Sequence, residues 1–316
     1  MRAAVSLIRH PSIPTAGLTA AELAIARSVV YASLFDYPLT LAQLRQTLIE
    51  STQTPSQVLA AFNGSPALQE VVEYRDGFFF PKGRTDLLEE RRRREARSRA
   101  FLRHHRLLLR LVCALPYVRL VALSGSIAHL NLEGSGDLDL FIVTRGRHVW
   151  SATLAVLLLS KAMRRRRVVC ANFVVADSRL VLEQQDLFTA SQVIHLKPLI
   201  GRDVFQQLLQ ANPFVFRFYP NFHAIDAASI PFRPYRVLRP LKRALEAVLA
   251  PVAPIAEVVC RAVYRSHLSR RAATWRSPEQ VRLQADCLKL HTQSHRQSVL
   301  ERFDRGVESL GWPAQP

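Results

Sequence analysis
A chain of 316 residues with 49% hydrophobic side chains is long enough for two domains and a further helical piece around a sizeable core. Its charge is strongly basic, 43 Lys and Arg against 25 Asp and Glu for a formal +18, and only five of the basic residues are Lys. The four cysteines (Cys113, Cys170, Cys260, Cys287) form no CxxC pair, and no apolar charge-free run reaches the ~18 residues of a spanning helix, which argues against a disulfide framework, a paired-cysteine zinc site and a transmembrane segment.

In chain order, the N-terminal MRAAVSLIRHP carries too short an apolar run for a signal peptide, so the expected compartment is cytoplasmic. Residues 19–35 read as an amphipathic helix with Thr19 as N-cap and Glu22 completing a capping box. DYP breaks it, and a second helix starts at Thr40 with Gln43 three residues on. Thr54-Pro55 open a third, through about Phe62, with proline in the first turn where it is tolerated. Leu68–Tyr74 and Gly77–Pro81, joined through Arg75-Asp76-Gly77, read as a hairpin. Three helices and a hairpin are the order of a winged helix over residues 1–84. The helix that would enter a major groove, about 56–63, has neither Lys nor Arg, so a structural or protein-contact role is favoured over DNA reading.

Residues 85–113 are expected as one long basic helix ended by Pro116, within a connecting segment 85–114. Glu89, Glu90 and Glu95 lie among its arginines, so part of the charge is paired locally. A strand at 118–124, a Gly125-Ser126 turn, a short helix through about Leu130, a loop and a strand at 138–143 follow. A mostly apolar, hence buried, helix is expected at 147–163, a strand at 168–176, and helices at 189–196 and 203–211. The aromatic stretch 212–222 reads as core packing. From about 237 the tail reads as helical, divided by Pro240, Pro251 and Pro254. Around 241–265 a buried helix is the default, with peripheral membrane association as the other reading.

The chemistry concentrates in SGSIAHLNLEGSGDLDLFIV, residues 124–143. A glycine in a tight turn lets backbone approach a ligand, Ser126 adds a hydroxyl, and a helix start adds free N–H groups suited to phosphate. Side chains alternate across a strand, so Asp137 and Asp139 face the same way and offer hard oxygen ligands for Mg²⁺. Lys197 is a further candidate for the phosphates, although as a cation before Pro198 it also fits an ordinary helix C-terminus. Arg145 and Arg147 follow the strand and read equally as phosphate contacts or surface residues. Glu133 reads as a solvated loop acid, and His129 as structural rather than metal-ligating.

A Gly-Ser turn followed after ten residues by Asp-x-Asp in an apolar strand resembles the DNA polymerase β-like nucleotidyltransferase superfamily. The likeness covers roughly residues 115–180. FDYPLT at 35–40 and ANFVVADSRL at 171–180 resemble uncharacterised bacterial members with an N-terminal winged-helix-like region. The resemblance implies an α+β protein: a winged-helix-like domain, a nucleotidyltransferase-type mixed sheet with flanking helices over 115–225, and a helical C-terminal region over 226–316. It implies that Gly125, Ser126 and Lys197 hold a nucleoside triphosphate and that Asp137 and Asp139 bind Mg²⁺ or Mn²⁺. The reaction would move a nucleoside monophosphate to a hydroxyl of a protein, RNA or small molecule, by two-metal in-line displacement.

One departure stands out. The superfamily's usual third carboxylate has no counterpart in 168–176, whose polar side chain is Asn172. Either Asn172 takes that position, or Asp177, Glu183 or Asp186 reaches in, or the site binds nucleotide without efficient transfer. The alternative is therefore a catalytically weak nucleotide sensor or nucleic-acid-binding regulator, with nucleic acid left open as a partner by the basic charge. A third acid within metal reach favours transfer; Asn172 alone favours sensing.

Overall fold
A computed structural model of the chain describes residues 17–134, 136–223 and 238–309. The N-terminal peptide and the expected boundary at 225/226 lie outside them. The fold is mixed α+β, in two compact units. The first runs up to Glu89 and adds Phe218–Asn221 and the segment from Arg296 on; the second is Glu90–Arg217 with Phe222–His295. The expected region 226–316 is thus shared between both units.

In the first unit, α1 (Ala20–Ser33), α2 (Leu41–Gln46) and α3 (Pro55–Gly64) each begin at a threonine whose hydroxyl accepts from the third helical N–H while the Glu or Gln there reaches back. The short β1 (Leu39–Thr40) precedes α2. The expected strand from Leu68 begins instead as a helix, α4 (Pro66–Val71), because Ser65 caps Leu68 N–H and Pro66 presets the first turn. The hairpin keeps only β2 (Val72–Arg75) and β3 (Phe78–Pro81). The sheet order is β1-β3-β2. Ile25, Leu44, Val58, Leu68 and Phe79 are fully buried between the helices and this sheet. On α3, Val58 and Phe62 turn inward and Gln57 and Asn63 outward.

The expected single basic helix is two: α5 (Asp86–His104) and α6 (Arg106–Cys113), with His105 buried at the break. Glu90–Arg94 and Glu95–Arg99 form the expected ion pairs one turn apart, at 2.8 and 2.6 Å.

The second unit is built on β4 (Val118–Leu123), β5 (Leu138–Thr144), β6 (Val169–Ala176), β7 (Lys197–Ile200), β8 (Val281–Leu283) and β9 (Cys287–Leu290), in the order β7-β4-β5-β6-β9-β8. Only β5 and β6 are parallel. Their crossover is α8 (Val149–Ala162), since parallel neighbours need a long connection. Its inner face, Val149, Trp150, Thr153 and Val156, packs on the sheet, while Leu158 is 64% exposed, so the helix is half buried rather than wholly so. α7 is one turn, Gly125–Ala128, shorter than expected.

Beyond β6, α9 (Leu187–Ile194) and α10 (Arg202–Gln210) match expectation, followed by α11 (Phe214–Phe218), with Phe214 and Val215 buried. The tail departs from its all-helical expectation. After α12 (Leu238–Leu249) and α13 (Ala253–Ser269), β8 and β9 form a hairpin that completes the sheet, and α14 (Arg296–Glu308) belongs to the first unit. There Val299, Phe303 and Val307 are buried at helical spacing, Phe303 edge-on to Tyr31 at 5.3 Å. No single helix among the described residues is long and apolar enough to cross a membrane.

Candidate functional site
Gly125 follows β4 after Ser124 and has φ +61°, a left-handed conformation that side chains disfavour. A Cβ added there would lie 2.5 Å from Asp139 Oδ2. The turn is therefore pressed onto the carboxylate of the adjacent strand, and Ser124 N–H donates to the Asp139 carbonyl at 2.9 Å. Ser126 is exposed beside it. α7 is too short for a large dipole, so what the turn offers an anion is its first N–H groups. We expect Gly125→Ala to displace Asp139 and weaken divalent-ion binding at least tenfold, readable by isothermal titration calorimetry, at a stability cost of roughly 1–2 kcal/mol for the non-glycine φ.

Asp137 precedes β5 and Asp139 is its second residue. Across the parallel pair, Asp139 is in register with Cys170. The next partners are Phe141 and Phe173, so β6 carries one extra residue between them, a bulge of the kind that re-aims side chains. Cys170 Sγ–H donates to Asp137 Oδ2 at 3.0 Å and Asn172 Nδ2 to Asp139 Oδ1 at 3.2 Å. One ligand atom from each of Asp137, Asp139 and Cys170 lies within 4.8 Å of the others. Ligand bonds of about 2.0–2.6 Å from one ion would span about that distance.

Burial, and then the neighbouring Asp137 charge, push Asp139 up to about 7, against the pull of the Asn172 hydrogen bond. Burial first, then the hydrogen bond to Asp137 and both carboxylate charges, push Cys170 up to about 12. Asp137 held beside the reluctant, buried Asp139 carboxyl makes a donor set short of positive charge, and a divalent cation supplies it. With Cys170 a neutral thiol, the two carboxylates suit Mg²⁺ or Mn²⁺; a thiolate ligand would select a softer ion.

The other expected acids point elsewhere. Asp177 accepts from Arg119 and from Gly146 N–H, both at 2.9 Å, at the far end of β6. Glu183 pairs with Arg179 and Arg282, and Asp186 caps α9 through Thr189 N–H. Among the described residues no third carboxylate joins the cluster, and Asn172 with Cys170 fills that side. Arg145 pairs with Glu246 at the opposite end of β5. Six residues of strand from Asp139 are about 20 Å, which takes Arg145 and Arg147 out of the site. Glu133 is exposed and pairs with Arg94 at 3.2 Å.

Lys197 was expected at a helix C-terminus. It opens β7 instead, directly opposite Leu123 of β4, one strand beyond the Gly-Ser turn from Asp139. Its ammonium is held below its usual range by burial alone. Beside it His129 and His195 lie with ring centroids 4.0 Å apart. Burial first, then the Lys197 charge, hold His195 down at about 3, and burial holds His129 well below its usual value too. Ser191 O accepts from His195 Nδ1 at 2.7 Å, which leaves Nε2 as an acceptor. This flank carries cationic charge: Lys197, with Arg91 of α5 close enough to act on His129.

Sequence reading missed Cys170 and His195. Cys170 was legible as a second inward residue, two before Asn172 in the same strand. His195 reaches His129 only through the fold. Compared with family models, curated proteins and solved structures, the chain matches none.

Proposed function
We propose that the chain binds a nucleoside triphosphate as its complex with one divalent cation, Mg²⁺ or Mn²⁺. Asp137 and Asp139 hold the cation, the Gly125-Ser126 turn holds the outer phosphates, and Lys197 contributes a cation from the flanking strand. The observation that carries this reading is the pairing of a Gly-Ser turn, at whose Gly125 no side chain fits, with two convergent carboxylates. The absence of a third carboxylate from the described cluster favours nucleotide sensing over efficient transfer, because a second metal lacks its usual charge compensation. The second reading, transfer of a nucleoside monophosphate to a hydroxyl, rests on the resemblance of the Gly-Ser and Asp-x-Asp pair to nucleotidyltransferases. The winged-helix-like order of the first unit suits a regulatory or protein-contact module, since Lys82 is turned back onto Gln69 O and Arg84 onto Asp36 and Asp86.

The test incubates each α-³²P-labelled NTP with Mg²⁺ or Mn²⁺ and a cell extract, with equilibrium binding measured in parallel and Asp139→Ala as control. Metal-dependent binding lost in the variant, with no label moved, is expected. Label moved by the wild type alone would replace sensing with transfer. Absence of metal-dependent NTP binding would overturn both readings.

A further inference from the structure
The helix pair α12–α13 shows a second surface, independent of the nucleotide site. Nine of the fifteen exposed large hydrophobic side chains among the described residues fall between Leu241 and Val263. On α12 and its end they are Leu241, Leu245, Val248, Leu249 and Val252; on α13 they are Ile255, Val258, Val259 and Val263. Both sets follow three- and four-residue helical spacing, so each is a stripe rather than a scatter. Val248, Ile255 and Val258 are 74%, 68% and 68% exposed. From Ala247 to Ala256 no charged residue interrupts the corner between the helices. An apolar patch of this continuity marks an interaction site.

The distribution of charge on this pair identifies the partner. Its two acids both turn inward. Glu246 accepts from Tyr117 N–H at 2.8 Å and pairs with Arg145, and Glu257 is buried against the start of α8, accepting from Trp150 and Ser151. Lys242 is likewise turned in, onto Val118 O. What remains outward beside the stripes is cationic: Arg243, Arg265, Arg270 and Arg271 are exposed and Arg261 is partly so. Arg265 lies two turns from Val258, at the stripe's edge. A second copy of this chain would set these arginines against one another. The stripes are aliphatic, without the aromatic anchors that protein interfaces favour. The two helices meet at 85°. At 12 and 17 residues, or about 18 and 26 Å, neither crosses a hydrocarbon core of about 30 Å.

We propose that α12–α13 docks on an anionic lipid bilayer, the aliphatic stripes entering the headgroup–acyl boundary and the flanking arginines meeting lipid phosphates. The fold fixes the pair to the sheet through its two acids, so the whole chain is held at the surface. The expectation of a buried helix at 241–265 is thereby corrected: only the inner edge is covered, Ala253, Glu257, Cys260, Tyr264 and Leu268 on α13.

The experiment is co-sedimentation of the full chain with vesicles of phosphatidylcholine alone or with phosphatidylglycerol, at low and high salt, alongside light scattering without lipid. At least tenfold tighter binding to the anionic vesicles is expected, reduced by salt, with at least a tenfold loss in Ile255→Ser/Val258→Ser and a several-fold loss in Arg265→Glu. These positions are exposed, and circular dichroism checks that the variants remain folded; if the double variant does not fold, Arg265→Glu decides. Failure to sediment, equal binding to neutral vesicles, or variants that bind like the wild type would overturn the proposal. So would a lipid-free dimer that the same substitutions dissociate, since the face would then belong to a second copy.

Discussion
Asp139→Asn is expected to raise the melting temperature of the metal-free protein at pH 8 by several degrees while weakening divalent-ion and nucleotide binding at least 100-fold. The two effects have one origin. Asp139 sits with its carboxyl largely enclosed, accepting from Asn172 at 3.2 Å and facing Asp137. Burial, followed by the Asp137 charge, moves it from an ordinary 3.8 to about 7. A folded-state value raised above the unfolded one means that the folded protein binds the proton more tightly. Stability from this group is therefore fully present below about pH 4 and is lost as pH rises to about 7. Above pH 7 the ionised form carries a penalty on the order of 4 kcal/mol at most.

Asparagine keeps an oxygen for the Asn172 donor and never carries the charge, so it escapes that penalty. A bound cation relieves the same penalty in the wild type. Thermal melts at pH 5 and pH 8, with and without Mg²⁺ or Mn²⁺, separate the terms. The gap between wild type and variant should be small at pH 5 and several times larger at pH 8, closing fully only below about pH 4, and metal should stabilise the wild type chiefly at pH 8. A proton competes with the ion for Asp139, so metal affinity should climb toward pH 7 and flatten above it. A variant less stable than wild type at pH 8, or equal stabilisation of both by metal, would remove the charge-strain account of the site.

What sequence reading captured was local. The capping boxes read at Thr19 and Thr40 formed, and the helix start read at Thr54 proved to carry one too, because each is closed within four residues and needs nothing from the rest of the chain. The convergence of Asp137 and Asp139 was legible from period-two geometry, and the glycine from its place in the turn, although the contact that requires it lies on another strand. β7 was hidden by Pro198, which reads as a breaker. It is tolerated because β7 is an edge strand with one unpaired side.

The tail strands did carry a signal. Val281-x-Leu283 and Cys287-x-Lys289 flank Gln284-Ala285-Asp286, a hairpin pattern between helices that drew the reading toward helix. The break at His105 has neither glycine nor proline to mark it. The third position of the site was legible as a missing acid, but its actual occupants, Cys170 and Asn172, depend on a bulge in β6 that only pairing with β5 defines.

The largest stability effect is expected at a residue with no bearing on the chemistry. Glu257→Ala should cost about 3–5 kcal/mol, because its carboxylate is the N-terminal cap of a helix 100 residues away in sequence. The residue before α8, His148, makes no side-chain cap. Trp150 and Ser151 N–H instead donate to Glu257 at 2.8 Å each, and Ser151 Oγ–H donates to it at 2.5 Å. Glu257 is 8% exposed, so removing it leaves two helix N–H groups without water to replace it. Trp150, fully buried, would transmit the loss to the β8–β9 hairpin through its indole bond to Gln284 O at 2.8 Å.

Glu257→Gln retains one accepting oxygen but turns an amide donor toward the other donors, so it should fall between wild type and Ala. Urea titration followed by tryptophan fluorescence orders the three. An Ala variant within about 1 kcal/mol of wild type would show that α8 finds its cap elsewhere. Because α8 only carries the chain from β5 to β6, NTP affinity measured at low temperature, where the variant is still folded, should stay within a few-fold of wild type. That outcome separates the element that positions the strands from the carboxylates that act at their ends.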